Sequence, residues 1–183
     1  MRFEFYHEGL ADVPKLSVDG TVDNALHLSH WAGNSTPEEL RADTSTEIAL
    51  NFVASPRRGE LSRGVEVVTN NHFDTDGVLS VWAVLNGERA LDLREGLVAA
   101  AEAGDFSEFG GERAVRVSVA IQGGDNPFSG GSGSPLARTR GRRRGVRGAR
   151  VRTRAARGRA TRHAHGRVRA LLARGLVGDR VGA

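Results

Sequence analysis

The chain has 183 residues, 39% hydrophobic and 26% charged, with no cysteine, so thiolate zinc or iron–sulfur sites are excluded. Residues 1–130 carry 10 Lys+Arg against 21 Asp+Glu, whereas residues 131–183 carry 16 Arg against one acid. An acidic body repels nucleic acid, which favours a small or single-ended substrate over a duplex. No run approaches the roughly 18 apolar residues of a membrane helix, and the N-terminus is too acidic for a signal peptide. We therefore expect a cytoplasmic protein without a membrane segment.

Short strands and capped helices are predicted in the first third of the chain. The predicted strands cover residues 2–6, 16–18 and 25–29. One helix should begin with Thr36 as its N-cap and Pro37 at the first helical position. A second should begin at the capping box formed by Thr44 and Glu47, and should end near residue 54, before Pro56. A polar loop over residues 57–64 follows.

A strand, a polar turn and a helix are predicted between residues 65 and 85. A β-branched run leads into Asn70-Asn71-His72-Phe73-Asp74-Thr75-Asp76-Gly77, and a helix-compatible apolar stretch begins at Val78. His72, Asp74 and Asp76 are spaced two apart, so in an extended segment their side chains leave the same face and can converge. Because imidazole and carboxylates suit Mn²⁺ or Mg²⁺, this spacing predicts a metal site.

The residues His72-Phe73-Asp74-Thr75-Asp76-Gly77, with Ser80 shortly after, resemble the first motif of the DHH phosphoesterase superfamily, which includes RecJ-like nucleases and oligoribonucleases. The resemblance implies a Mn²⁺-dependent hydrolase acting on a phosphoester small molecule or a short oligonucleotide. It also implies a bridging Asp after a later strand, which makes Asp125 a candidate metal ligand. The Asp-His-His triplet that names the family is absent. We therefore expect the site to be incomplete and the chain inactive.

Beyond the motif, a helix over residues 88–103 closed by Gly104 and a strand over residues 115–121 are predicted. The strand prediction depends on the alternation of Val115, Val117 and Val119 with polar or small residues. Strands that alternate with helices predict an α/β fold over residues 1–128, with a Rossmann-like, mostly parallel sheet flanked by helices. The motif would then lie at the carboxyl end of a strand, where ligands bind in such sheets.

Phosphate-binding groups are expected beside the metal site, because a helix N-terminus stabilises anions. The candidates are Gly77, Val78, Ser80 and His30. Structural interpretations of the same residues stay open. Asp76 can cap the helix, Asp125 lies in a turn-forming sequence, and His30 can be a structural histidine. The domain would then be non-catalytic.

The C-terminal part of the chain differs in composition from the rest. Residues 129–135 predict a Gly/Ser linker, and residues 136–183 predict a disordered, Arg/Gly/Ala-rich tail. Such a tail can bind nucleic acid through its arginines. It can also be a frameshift product, because the body uses nine Arg and one Lys, which suggests coding DNA rich in G and C. In that case the folded part would be the N-terminal portion of a larger phosphoesterase-like domain.

Overall fold

A parallel four-stranded sheet organises the computed structural model, which describes residues 1–125. Its strands are β1 (Arg2–Phe3), β2 (Lys15–Val18), β3 (Leu26–Leu28) and β4 (Val67–Thr69). They lie in the order β1-β4-β2-β3, and each neighbouring pair is parallel. Backbone hydrogen bonds continue the β1–β4 pairing as far as Tyr6, whose N–H donates to the Asn70 carbonyl at 2.9 Å. The predicted α/β class with a parallel sheet is confirmed.

Six α-helices and two short 3-10 helices, Glu8–Leu10 and Glu38–Leu40, accompany the sheet in this part of the chain. The α-helices are α1 (Ser45–Ala54), α2 (Arg58–Leu61), α3 (Thr75–Asn86), α4 (Glu88–Leu91), α5 (Arg94–Asp105) and α6 (Glu112–Asp125). The predicted capping box starts α1, because the Thr44 side chain accepts a hydrogen bond from the Glu47 N–H at 3.2 Å. The predicted linker and tail lie outside the described residues.

The core lies between the sheet and the pair α1 and α3, which pack on each other and on the strands. Leu16 and Val68 from the sheet, Phe52 from α1 and Leu79 from α3 are completely buried. Each such side chain contributes about 1.5–3 kcal/mol through its removal from water. Since α3 follows β4 and α1 follows β3 along the chain, this packing brings the polar turns before both helices to one edge of the sheet.

The strand predicted over residues 115–121 is wrong, because these residues belong to α6. Ala114, Val117, Ser118 and Ile121 are buried and Val119 is exposed, which is the spacing of one helix face. The spacing of the valines is compatible with a strand and with one face of a helix, and the packing of α6 on α5 stabilises the helix.

Three further predictions about helices differ from the structure. The predicted loop over residues 57–64 contains α2, and the predicted helix over residues 88–103 is two helices, with Gly104 inside the second. Thr36 does not cap a helix. Its hydroxyl instead accepts a hydrogen bond from the Ser29 N–H and donates one to the Ser29 carbonyl, which ties the loop to the end of β3.

Within residues 1–125, no helix combines the length and apolar character that crossing a membrane requires.

Candidate metal centre

Acidic and histidine side chains converge at the carboxyl edge of the sheet. Asp19 directly follows β2, His30 comes shortly after β3, and the turn with His72 and Asp74 follows β4. Asp105, the last residue of α5, reaches the same place from the helical layer. The edge predicted to bind ligands in a parallel sheet therefore carries these groups.

Asp19 lies at the middle of this convergence. Its backbone has φ of +47°, a left-handed conformation that Asp tolerates better than most residues. The completely buried carboxylate accepts hydrogen bonds at Oδ1 from Trp31 Nε1–H (3.0 Å) and the Ser45 hydroxyl (2.8 Å). Oδ2 lies 3.0 Å from His72 Nε2 but lacks hydrogen-bond geometry, so it has no hydrogen-bond partner among the described residues. A buried carboxylate oxygen that accepts no hydrogen bond depends on a nearby positive charge for its stabilisation.

Asp76 is buried in the first turn of α3 and connects α3 to α1. Its two oxygens accept hydrogen bonds from the Ser45 and Thr46 N–H groups, each at 2.7 Å. N–H groups at the start of a helix have no carbonyl partner within the helix, and a negative charge placed there is stabilised by the helix dipole. Burial and the neighbouring Asp19 nevertheless raise the pKa of Asp76 to about 7. The carboxylate thus caps α1 and still lies among like charges.

His30 presents one ring nitrogen to the carboxylates. Its Nδ1 lies 2.7 Å from the Asp43 carbonyl, which can only accept, so Nδ1 carries a proton. Its Nε2 lies 3.6 Å from Asp19 Oδ1, 3.8 Å from Asp76 Oδ2 and 3.6 Å from Asp105 Oδ2. In the neutral ring, Nε2 has a lone pair available for a cation at the point where these carboxylates meet.

His72 and Asp74 form the opposite side of the convergence. His72 Nε2 lies 2.8 Å from Asp74 Oδ2, and its Nδ1 lies 2.8 Å from Asn71 Oδ1. The contact with Asp19 and the hydrogen bond with Asp74 raise the pKa of His72 to about 10. Burial would raise the pKa of Asp74, but the bonds from His72 and the Gly77 N–H outweigh it and lower that pKa. Without a metal ion, a protonated His72 supplies the positive charge here.

These side chains define two potential metal-binding groups that share Asp19. We call Asp19, His30 and Asp76 the inner group, and Asp19, His72 and Asp74 the outer group. In each group the potential ligand atoms lie within 4.8 Å of one another. The donor set, imidazole with carboxylates and no thiolate, fits hard or borderline divalent cations. The structure therefore brings together residues able to hold a metal.

Asp105 reaches the inner group because Gly104 allows close helix packing. A Cβ at Gly104 would lie 2.6 Å from Thr75 Cβ, so a larger residue would push the end of α5 away from α3. Burial and the charges of Asp74 and Asp19 raise the pKa of Asp105 to about 6. Asp105 thus adds a third carboxylate beside His30, after Asp19 and Asp76.

The three motif residues lie in the centre, but not on one extended face as predicted. The chain turns into α3 at Thr75, so Asp76 is helical and faces the inner group while His72 and Asp74 remain in the outer group. Asp74 rather than Asp76 is the N-cap of α3, since its Oδ1 accepts from the Gly77 N–H at 2.8 Å. Asp74 and Asp76 therefore each cap a helix, α3 and α1 respectively, and each also belongs to a potential metal-binding group.

The candidate phosphate-binding groups are hydrogen-bonded within the protein, and of His30 only Nε2 faces the inner group. The Gly77 and Val78 N–H groups bond to Asp74, and Ser80 is buried with its hydroxyl 3.5 Å from Thr46 Oγ1. Asp125 is the last residue of α6 and does not follow a strand. Its side chain lies outside the described part of the chain, so its role as a ligand stays a prediction.

Sequence reasoning missed Asp19 and Asp105. Asp19 had a usable signal, because Asp-Gly directly follows the predicted strand at residues 16–18 and strand ends are where ligands bind. Asp105 had none, since it ends a helix and approaches His30 only through tertiary packing.

The fold and these side chains define a Rossmann-like α/β protein with an acidic and histidine-containing centre at its sheet edge. The chain belongs to DUF6687, a family of unknown function whose profile matches residues 2–134. The match spans every helix and strand of the described residues and ends within the predicted Gly/Ser linker. Comparison with curated proteins and with solved structures found no match.

Proposed function

We propose that the chain is a metal-dependent phosphoesterase whose centre holds Mn²⁺ or Mg²⁺, and that it is active although the Asp-His-His triplet of the DHH family is absent. The observation that supports this most is the buried Oδ2 of Asp19, which accepts no hydrogen bond from the described residues. It lies in a cluster with three other carboxylates and two imidazoles, an arrangement that a cation would stabilise. Carboxylate oxygens admit Mg²⁺, and the imidazoles extend the preference toward Mn²⁺.

The inner and outer groups would each hold one ion, with Asp19 contributing to both. Such ions, when bound, would lower the pKa of their bound water and would stabilise the attacking and leaving oxygens of a phosphoester. The protein's own contribution is to fix the ligands. The Asp43 carbonyl orients His30, and Asn71 holds the Nδ1 side of His72. The resemblance of the motif to DHH phosphoesterases favours a phosphoester over other substrates of two-metal hydrolases.

The proposal can be tested by phosphoester hydrolysis. Purified chain should hydrolyse p-nitrophenyl phosphate or its bis ester with MnCl₂ and not with EDTA. Asp19→Asn should abolish the Mn²⁺-dependent rate, and Asp12→Asn, which changes an exposed acid away from the centre, should retain it. A rate that EDTA leaves unchanged, or that Asp19→Asn retains, would contradict the proposal.

A further inference from the structure

Two exposed aromatic side chains flank the candidate metal centre. Large hydrophobic residues are exposed at only five positions in residues 1–125, namely Met1, Trp31, Phe106, Phe109 and Val119. Two of these contact histidines of the centre. The Trp31 ring packs on His72 with centroids 5.0 Å apart, and the Phe106 ring packs edge-on against His30 at 6.2 Å. The exposed aromatic surface is therefore partly concentrated at the centre.

Trp31 is held in a fixed orientation although 47% of its surface is exposed. Its Nε1–H donates to Asp19 Oδ1 at 3.0 Å, and its backbone N–H donates to the Ser29 hydroxyl at 3.2 Å. Its carbonyl accepts from the Asn34 side chain at 2.7 Å. Exposing a large indole forfeits hydrophobic stabilisation, so an indole anchored this firmly beside a reactive centre requires another explanation.

We propose that Trp31 is a stacking platform for a planar aromatic group of the substrate, such as a nucleobase. This inference rests on the proposed function and names the class of phosphoester that the centre would take. If the phosphate of the substrate bound at the metal centre, the rest of the ester would extend toward the solvent-exposed surface around the centre, where the indole of Trp31 lies. Stacking of a base on an aromatic side chain is favourable and tolerates different bases, because every base presents a π-face.

The hydrogen bond from the Trp31 indole to Asp19 also fixes the orientation of the proposed stacking platform. The same Asp19 that belongs to both metal-binding groups accepts the indole N–H, so the platform and the centre are fixed relative to each other. A rigid aromatic group loses little entropy on binding, which favours affinity. Trp31 would thereby select aromatic phosphoesters over compact ones of equal charge.

Two matched ligands test this inference. AMP and ribose 5-phosphate carry the same phosphomonoester, and only AMP has a base. With Mn²⁺ present, we expect AMP to bind about tenfold more tightly, in line with the contribution of one stacked base. AMP should also quench tryptophan fluorescence through Trp31, because the second tryptophan, Trp82, is buried.

Two substitutions separate stacking from the hydrogen bond to Asp19. Trp31→Phe and Trp31→Ala both remove the indole N–H, but only Trp31→Phe keeps an aromatic face. The preference for AMP should persist in Trp31→Phe and disappear in Trp31→Ala. Equal affinity for both ligands in the unsubstituted chain, no AMP binding, or a preference that Trp31→Ala retains would overturn the inference.

Titration of the same proteins with MnCl₂ alone distinguishes this failure from failure of the proposed function. If the unsubstituted chain does not bind Mn²⁺, the metal centre itself is wrong and both proposals fail. If it binds Mn²⁺ but shows no preference for AMP, the centre stands and the stacking platform is wrong.

Discussion

The inner and outer groups share Asp19 but are built in different ways. Inner-group residues come from the loops after two strands and from the first turn of α3, and its two carboxylates are completely buried and bonded to the start of α1. In the outer group, His72 and Asp74 are near neighbours in sequence, partly exposed, and bonded to each other. The inner group therefore depends on the whole fold, whereas the outer group is largely encoded by one turn. A short motif reveals the second kind of group more readily than the first.

Asp19→Asn should have the largest effect on metal binding, because it changes the only residue common to both groups. Mn²⁺ affinity should fall more than about 100-fold, beyond the usual cost of losing a group that only orients a metal ligand. The Asn oxygen can still accept from Trp31 and Ser45, so the fold should survive. Isothermal titration gives the affinity, and circular dichroism in EDTA checks the fold. A folded variant with unchanged Mn²⁺ affinity would refute a shared ligand.

Asp76→Asn should damage both the inner group and the fold. An amide has one acceptor oxygen, so one of the Ser45 and Thr46 N–H groups would lose its partner. A buried unpaired donor costs about 1–3 kcal/mol. Urea denaturation in EDTA measures this loss, with Asp12→Asn as the control. Stability equal to that of the unsubstituted chain would show that Asp76 does not cap α1.

His72→Ala should affect the outer group selectively. The contacts of Asp19 and Asp76 with α1 do not involve His72, so the inner group should keep its ligands. We expect Mn²⁺ stoichiometry to fall from two ions to one, as measured by titration. Loss of both ions would mean that the two groups are not separable.

The most gradual effect concerns the pH dependence of stability without metal. Asp76 and Asp105 have folded pKa values of about 7 and 6, above the ordinary 3.8, so the folded chain holds protons that the unfolded chain has released. Their stabilisation is lost as the pH rises from about 4 to 7. The stabilisation from His72, present below its unfolded pKa of 6.5, is lost as the pH rises toward 10.

Thermal unfolding in EDTA measures this dependence. The melting temperature should decrease steadily between pH 5 and pH 9, and saturating Mn²⁺ should reverse the decrease, because a bound cation replaces the protons. A melting temperature that rises with pH in EDTA would contradict the assigned pKa shifts.

Local signals predicted much of the fold. Short apolar stretches predicted β2 and β3, a β-branched run predicted β4, and the Thr44 capping box predicted the start of α1. The strand predicted at residues 115–121 failed because alternating valines also fit the buried face of a helix, and only contact with α5 decides between them.

The candidate site was predicted in part for the same reason. His72 and Asp74 were identified because the outer group is contiguous in sequence. Asp76 was identified, but its partners on α1 were not, since they lie about 30 residues away in the chain. The position of Asp105 depends on the close approach at Gly104, which sequence spacing does not encode.

The number of ions bound per chain is the most informative quantity to measure. After equilibrium dialysis against MnCl₂, the metal content and low-temperature electron paramagnetic resonance spectrum should show two Mn²⁺ ions per chain that interact magnetically. Asp19→Asn should remove the interaction. A chain that binds no Mn²⁺, or one isolated ion that Asp19→Asn leaves in place, would contradict a two-ion centre built around Asp19.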